Sequence, residues 1–144
     1  MGLRLVDAHC HLEDEAFDMD REAVIERALR AGVVAMLTSS LDYEDALKAN
    51  EIAKAHRGHV FLCVGFDPTI EDEAEMEAVM QLAEELALRG EVVAIGEVGL
   101  DFYRHRSEAL MERQRERFKA WIRLADELGL PLVVHSRSAG KYAI

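Results

Sequence analysis

Apolar residues are laid out in two alternating patterns along the chain. Short continuous runs recur at Arg4-Leu5-Val6, Val33-Val34-Ala35-Met36-Leu37-Thr38, His59-Val60-Phe61-Leu62-Cys63-Val64-Gly65, Val92-Val93-Ala94-Ile95-Gly96-Glu97 and Pro131-Leu132-Val133-Val134-His135. These runs predict strands; the continuous one from Val33 to Thr38 predicts a strand buried on both faces, as in parallel sheets, and Pro131 is tolerated as the first residue of the last one. Between them lie segments with helical spacing. The first runs from Arg21 to Arg30, with Asp20 as its expected cap, Gly32 as its stop and Val24, Ala28 and Ala31 along one stripe. The second starts at Asp42, with Asp45 three residues on, and runs to about His56 before Gly58. Thr69 with Asp72 reads as a capping arrangement for the third, which buries Met76, Val79, Met80, Ala83 and Leu86 and closes at Gly90. Ser107 caps the fourth, with Leu110, Gln114, Phe118, Trp121, Ala125 and Leu128 on its apolar face. Strictly alternating strands and helices joined by short connections predict an α/β fold with a parallel sheet and right-handed crossovers.

Polar residues enter these strands only at their C-terminal ends. The first strand reads Val6-Asp7-Ala8-His9-Cys10-His11-Leu12, which puts Asp7, His9 and His11 on one face and Val6, Ala8, Cys10 and Leu12 on the other. Two imidazoles roughly 6 to 7 Å apart along a strand can reach one metal ion. By itself a His-x-His pair also suits a solvated strand end. The other strands turn polar at the same end, through Thr38 and Ser39, Asp67, Glu97, and His135 with Ser136. Carboxyl ends of parallel strands carry the sites of α/β folds. Parity sharpens this, because Val93, Ile95 and Glu97 share a face, as do Pro131, Val133 and His135. If those faces converge, His9, His11, Glu97 and His135 form a donor set suited to Mg²⁺, Mn²⁺ or Zn²⁺.

Composition narrows the class. At 144 residues and 50% hydrophobic content the chain can bury one core, and no shift in composition marks a second domain. No apolar run approaches a membrane span and Met1-Gly2-Leu3-Arg4 leads straight into structure, so a cytoplasmic protein is expected. Cys10 and Cys63 lie inside apolar runs and read as buried thiols rather than a disulfide. One Asn, two Gln and abundant ion-pairing residues lean towards a thermophile. A net charge of −11 argues against a protein that coats DNA by neutralising phosphates, but leaves a nucleic-acid enzyme open. The acidic stretches Glu13–Asp20 and Glu71–Glu85 are expected on solvated outer loops and helices. His56 and His59 fall at the opposite rim and read as surface residues, while His105 follows the fourth strand on the site's rim.

Four segments resemble one family. Asp7-Ala8-His9-Cys10-His11-Leu12, Gly96-Glu97-Val98-Gly99-Leu100-Asp101-Phe102-Tyr103, Gln114 with Phe118, and Leu130-Pro131-Leu132-Val133-Val134-His135-Ser136-Arg137 look like the N-terminal part of a TatD-type metal-dependent deoxyribonuclease, within the amidohydrolase-type TIM-barrel superfamily. The resemblance implies that residues 1–144 are the N-terminal part of a TIM-barrel metal-dependent hydrolase domain, an incomplete (β/α)8 barrel with about five strands and four helices. It implies hydrolysis of DNA phosphodiester bonds by a metal-bound water at two divalent ions, Mg, Mn or Zn. His9 and His11 would hold one ion, Glu97 would bridge to the second as the catalytic carboxylate, and His135 would bind that second ion. Arg137 and Arg104, just past strand ends, suit either substrate phosphates or a surface ion pair. Asp101 would brace the loop or a ligand histidine.

Two departures accompany the resemblance. Where the family has a Gly-x-His-Pro-His type segment, this chain reads Gly65-Phe66-Asp67-Pro68-Thr69, which removes the histidine contacts and leaves Asp67 as an acidic replacement. The family also draws a histidine from a sixth strand and an aspartate from an eighth, whereas this sequence ends at Ile144, just after the fifth. A truncated or frameshifted product is therefore expected, or one whose sheet is completed by self-association or by a second chain. Weak or absent nuclease activity is expected of the 144 residues alone. An amidohydrolase acting on a C–N or C–O bond keeps the same site, but the position where such enzymes place a bridging lysine is Glu97, which favours the phosphodiesterase. A half-barrel that serves only in assembly is the alternative outside enzymology.

Overall fold

The computed structural model describes residues 4–144. Strands β1 (Leu5–Cys10), β2 (Val33–Ser39), β3 (Val60–Val64), β4 (Val92–Asp101) and β5 (Leu132–Arg137) alternate with helices α1 (Arg21–Arg30), α2 (Tyr43–Ala55), α3 (Glu73–Leu88) and α4 (Glu108–Leu128). All four neighbouring pairs are parallel and the strands lie in sequence order, so the sheet is a consecutive segment of a β/α barrel. This is the incomplete TIM-barrel architecture expected from the sequence. β1 and β5 each have one neighbour and present unpaired edges.

The core fills the layer between sheet and helices, where Leu62, Val64, Ile95 and Val98 pack with Ile25, Ala49, Val79 and Trp121. Val93 and Val134 remain exposed on the sheet. In β1 the expected alternation holds only at its end. Leu12 is buried and Cys10 joins the core, but Val6 and Ala8 are exposed, because an edge strand with a register shift between Asp7 and Cys10 lacks the cover of an inner one.

Of the four helix starts, two match expectation and two differ in detail. Asp42 and Ser107 accept from the backbone N–H groups of Asp45 (2.8 Å) and Leu110 (3.3 Å), as N-caps should. Asp20 holds the cap position of α1 with no hydrogen bond from its side chain to the helix, its carboxylate lying 3.5 Å from Arg27 instead. At α3 the cap is Asp72, which accepts from Glu75 N–H, while Thr69 closes a turn on Asp67 through both its backbone and its hydroxyl. Ile25, off the expected stripe of α1, is the buried side chain of that helix.

Glycine sets the spacing of the strands beneath the rim. A Cβ on Gly65 would stand 2.3 Å from the carbonyl oxygen of Glu97, and one on Gly99 would stand 2.1 Å from that of His135. The bare backbone at Gly65 lets Phe66 N–H donate to the Glu97 carbonyl at 3.0 Å. Gly99 also has φ +146°, in the region that favours glycine.

Candidate metal centre

The candidate donors lie in the C-terminal halves of their strands or just beyond. His9 is in β1 and His11 one residue beyond it, while Glu97 is in β4 and His135 in β5. Nε2 of His9 lies 3.1 Å and Nε2 of His11 3.5 Å from Oε2 of Glu97, and the two Nε2 atoms are 3.2 Å apart. Donor atoms bound about 2.1 Å from one ion are themselves about 3 to 3.5 Å apart. The triangle thus has the size of one coordination sphere and fits a divalent ion in the chemistry of its donors as well. Through its other oxygen, Oε1, Glu97 meets Nδ1 of His135 at 2.6 Å.

The partners of these rings fix their orientation and charge. His11 directs Nδ1 at the Ser39 carbonyl oxygen (2.7 Å) and at Oε1 of Glu13 (3.0 Å), leaving Nε2 towards Glu97. Hydrogen bonding to Glu13, then to Glu97, raises its pKa to about 10 against the opposing effect of burial. His135 is raised too, first by Glu97, and its Nε2 lies 3.3 Å from Oδ2 of Asp101. Glu97 is held well below the usual carboxylate range by hydrogen bonds from His11 and His135, which outweigh its burial. The imidazoles of His11 and His135 and the carboxylate of Glu97 thus each favour the other's charged form.

Asp101 is buried, and its Oδ1 accepts from the backbone N–H groups of Tyr103 (3.0 Å) and Arg104 (2.8 Å). Burial pushes its carboxyl up, but Arg104 N–H and His135 outweigh this and leave it lowered. Its own N–H donates to Oε1 of Gln114 at 2.8 Å, and the Gln114 amide in turn donates to Nδ1 of His105 at 3.1 Å. The loop after β4 is thereby tied to α4.

Arg104 and Arg137 line a cavity of about 130 Å³ together with Glu97, Asp101, His135 and Asp67. Arg104 is exposed, with Asp67 at 3.9 Å, and the Arg137 guanidinium lies over the Tyr103 ring at 4.1 Å. Oδ1 of Asp67 accepts from both the backbone N–H and the hydroxyl of Thr69, which ties that oxygen to the turn. His56 pairs with Glu22, and His59 lies 3.4 Å from the Val34 carbonyl, both apart from this group.

Glu13 corrects the sequence reading, which put it on a solvated loop. Its side chain is 1% exposed and lies against His11, with the Thr38 hydroxyl donating to its Oε2. The signal available was spacing, a carboxylate two residues past a ligand-type histidine and opposite a hydroxyl at the end of the next strand.

Fold and rim together define a class, a β/α-barrel protein with imidazole and carboxylate donors gathered at the C-terminal ends of its strands. Within it, the chain belongs to the TatD related DNase family, which matches residues 6–144. It is 37% identical over 137 residues to an uncharacterized metal-dependent hydrolase of Methanocaldococcus jannaschii, covering 94% of this chain and 51% of that protein. It is 38% identical over 133 residues to a 3'-5' ssDNA/RNA exonuclease TatD of Rahnella sp., covering 91% and 49%. Among solved structures, the TatD homologue YjjV of Escherichia coli superposes with a TM-score of 0.81 at 26% identity, over 97% of this chain and 53% of that one. The chain spans about half the length of the curated relatives it matches. Among the described residues, no helix is long and apolar enough to cross a membrane.

Proposed function

We propose that the chain carries the N-terminal half of a metal-dependent phosphodiesterase acting on DNA. The observation behind this reading is the convergence of His9, His11 and Glu97, whose donor atoms all lie within 4.8 Å of one another. His9 and His11 are the proposed ligands of one divalent ion, Glu97 the bridge to a second and His135 a ligand of that second ion, the ions being Mg²⁺, Mn²⁺ or Zn²⁺. Such ions supply an activated water and counter-charge for the phosphoryl oxygens. Glu97 holds its two oxygens towards different histidines, and Asp101 keeps the His135 ring turned to Glu97. Arg104 and Arg137, beside them in the same cavity, are placed to bind substrate phosphates.

The cytoplasm is the proposed compartment, in keeping with two free thiols. Self-association, or a second chain completing the barrel, would pair the edges of β1 and β5. Calorimetric titration of the chain with Mn²⁺ tests the metal reading. Saturable binding that is lost in Glu97→Ala is expected, and absence of binding overturns it. A labelled single-stranded DNA oligonucleotide tests the substrate, with slow shortening that EDTA abolishes as the expected result.

A further inference from the structure

Glu13 is the one fully buried carboxylate on the β1 side of the rim, and nothing in the proposed chemistry has used it. Burying a carboxylate costs several kcal/mol unless each oxygen finds a donor. Here both do. Oε1 faces Nδ1 of His11 at 3.0 Å, and Oε2 receives the Thr38 hydroxyl, whose oxygen accepts in turn from Leu12 N–H at 3.0 Å. The set closes on itself, because Leu12 lies between His11 and Glu13 in the chain and Thr38 pairs across to β1 opposite Cys10. Neither oxygen faces the Nε2 side of the ring, so Glu13 does not compete with Glu97 for an ion.

We infer that Glu13 is the positioning residue of His11: with Thr38 and the Ser39 carbonyl it holds the ring with Nδ1–H turned inward and Nε2 aimed at Glu97. The inference rests on His11 being a metal ligand, as proposed above. A ring that is otherwise free to rotate on a residue just past the strand end is thereby delivered in one orientation and one tautomer, with a carboxylate that strengthens Nε2 as a donor.

The experiment pairs two readouts in the chain and two near-isosteric variants, Glu13→Gln and Thr38→Val. Calorimetry with Mn²⁺ alone gives affinity, and the proton on Nδ1 of His11, followed by NMR in metal-free protein, gives the ring's orientation. Glu13→Gln is expected to weaken Mn²⁺ binding ~10- to 100-fold in protein that still folds, and Thr38→Val to weaken it less. The Nδ1 proton, sharp and downfield in the parent, is expected to broaden or vanish in Glu13→Gln. Affinity equal to the parent's in Glu13→Gln overturns the inference, and should that variant not fold, unchanged affinity in Thr38→Val does so. If the parent itself takes up no Mn²⁺, the metal reading fails, and the role of Glu13 is then decided by whether the Nδ1 proton is unchanged in the variants.

Discussion

Glu97 and His135 sit on adjacent strands and meet at 2.6 Å, yet the other oxygen of the same carboxylate is 3.1 Å from His9 on β1. One side chain therefore joins the first and last strands of the sheet, and its removal should be felt at both.

Glu97→Gln keeps the size of the side chain but removes the charge shared by three imidazoles. Mn²⁺ affinity should fall at least tenfold by calorimetry. NMR titration of metal-free protein should show His11 and His135 returning towards the ordinary histidine value.

Metal affinity should rise with pH. His11 holds its proton to about 10 against an ordinary 6.5, and a proton must leave Nε2 before an ion can bind there. Calorimetry in buffers of different ionisation enthalpy should show proton release on binding throughout pH 6 to pH 9, since His11 keeps its proton over that range.

Stability of the metal-free chain should move the other way. His11 is raised in the folded state, so its contribution is complete below 6.5 and fades as pH climbs towards about 10. Glu97 is lowered, so its contribution is present above its ordinary 4.5 and is lost as pH falls below it. The melting temperature in EDTA should therefore peak between these two ordinary values.

Gly99→Ala places a methyl 2.1 Å from the His135 carbonyl oxygen, at a backbone angle that disfavours any side chain. A loss of about 2 kcal/mol or more is expected in urea denaturation, because the obstacle is backbone and cannot rotate away.

Gln114→Leu leaves the buried Asp101 N–H without its acceptor. A loss of about 1 to 3 kcal/mol is expected in the same assay. The accompanying loosening of the β4–α4 loop should appear as faster amide exchange at Tyr103 and Arg104.

The elements and their order could be read from the sequence because β2 to β5 each carry an apolar run and the first three helices each end at a glycine. Asp42, Ser107 and the buried face of α4 fell where spacing put them. The convergence of His9, His11, Glu97 and His135 was legible for a related reason, since polar residues at the ends of apolar strands have few explanations. Glu13 was not, because an acidic residue among acidic neighbours looks solvated until the fold brings Thr38 and His11 against it. Nor were the burial of Ile25 in place of the expected stripe or the exposure of Val6, both of which depend on how neighbouring elements cover a residue. Gly65 and Gly99 carry no local signal either, as their need for a bare backbone comes from strands distant in sequence.

In a flat sheet, β1 and β4 would be three strand spacings apart, or about 14 Å, yet His9 and Glu97 touch. Their contact is a chord drawn across an arc, and its length is a gauge of how tightly the arc is bent. A spectroscopic ruler from the end of β1 to the end of β4 would accordingly lengthen whenever the protein uncurls, before any strand has melted.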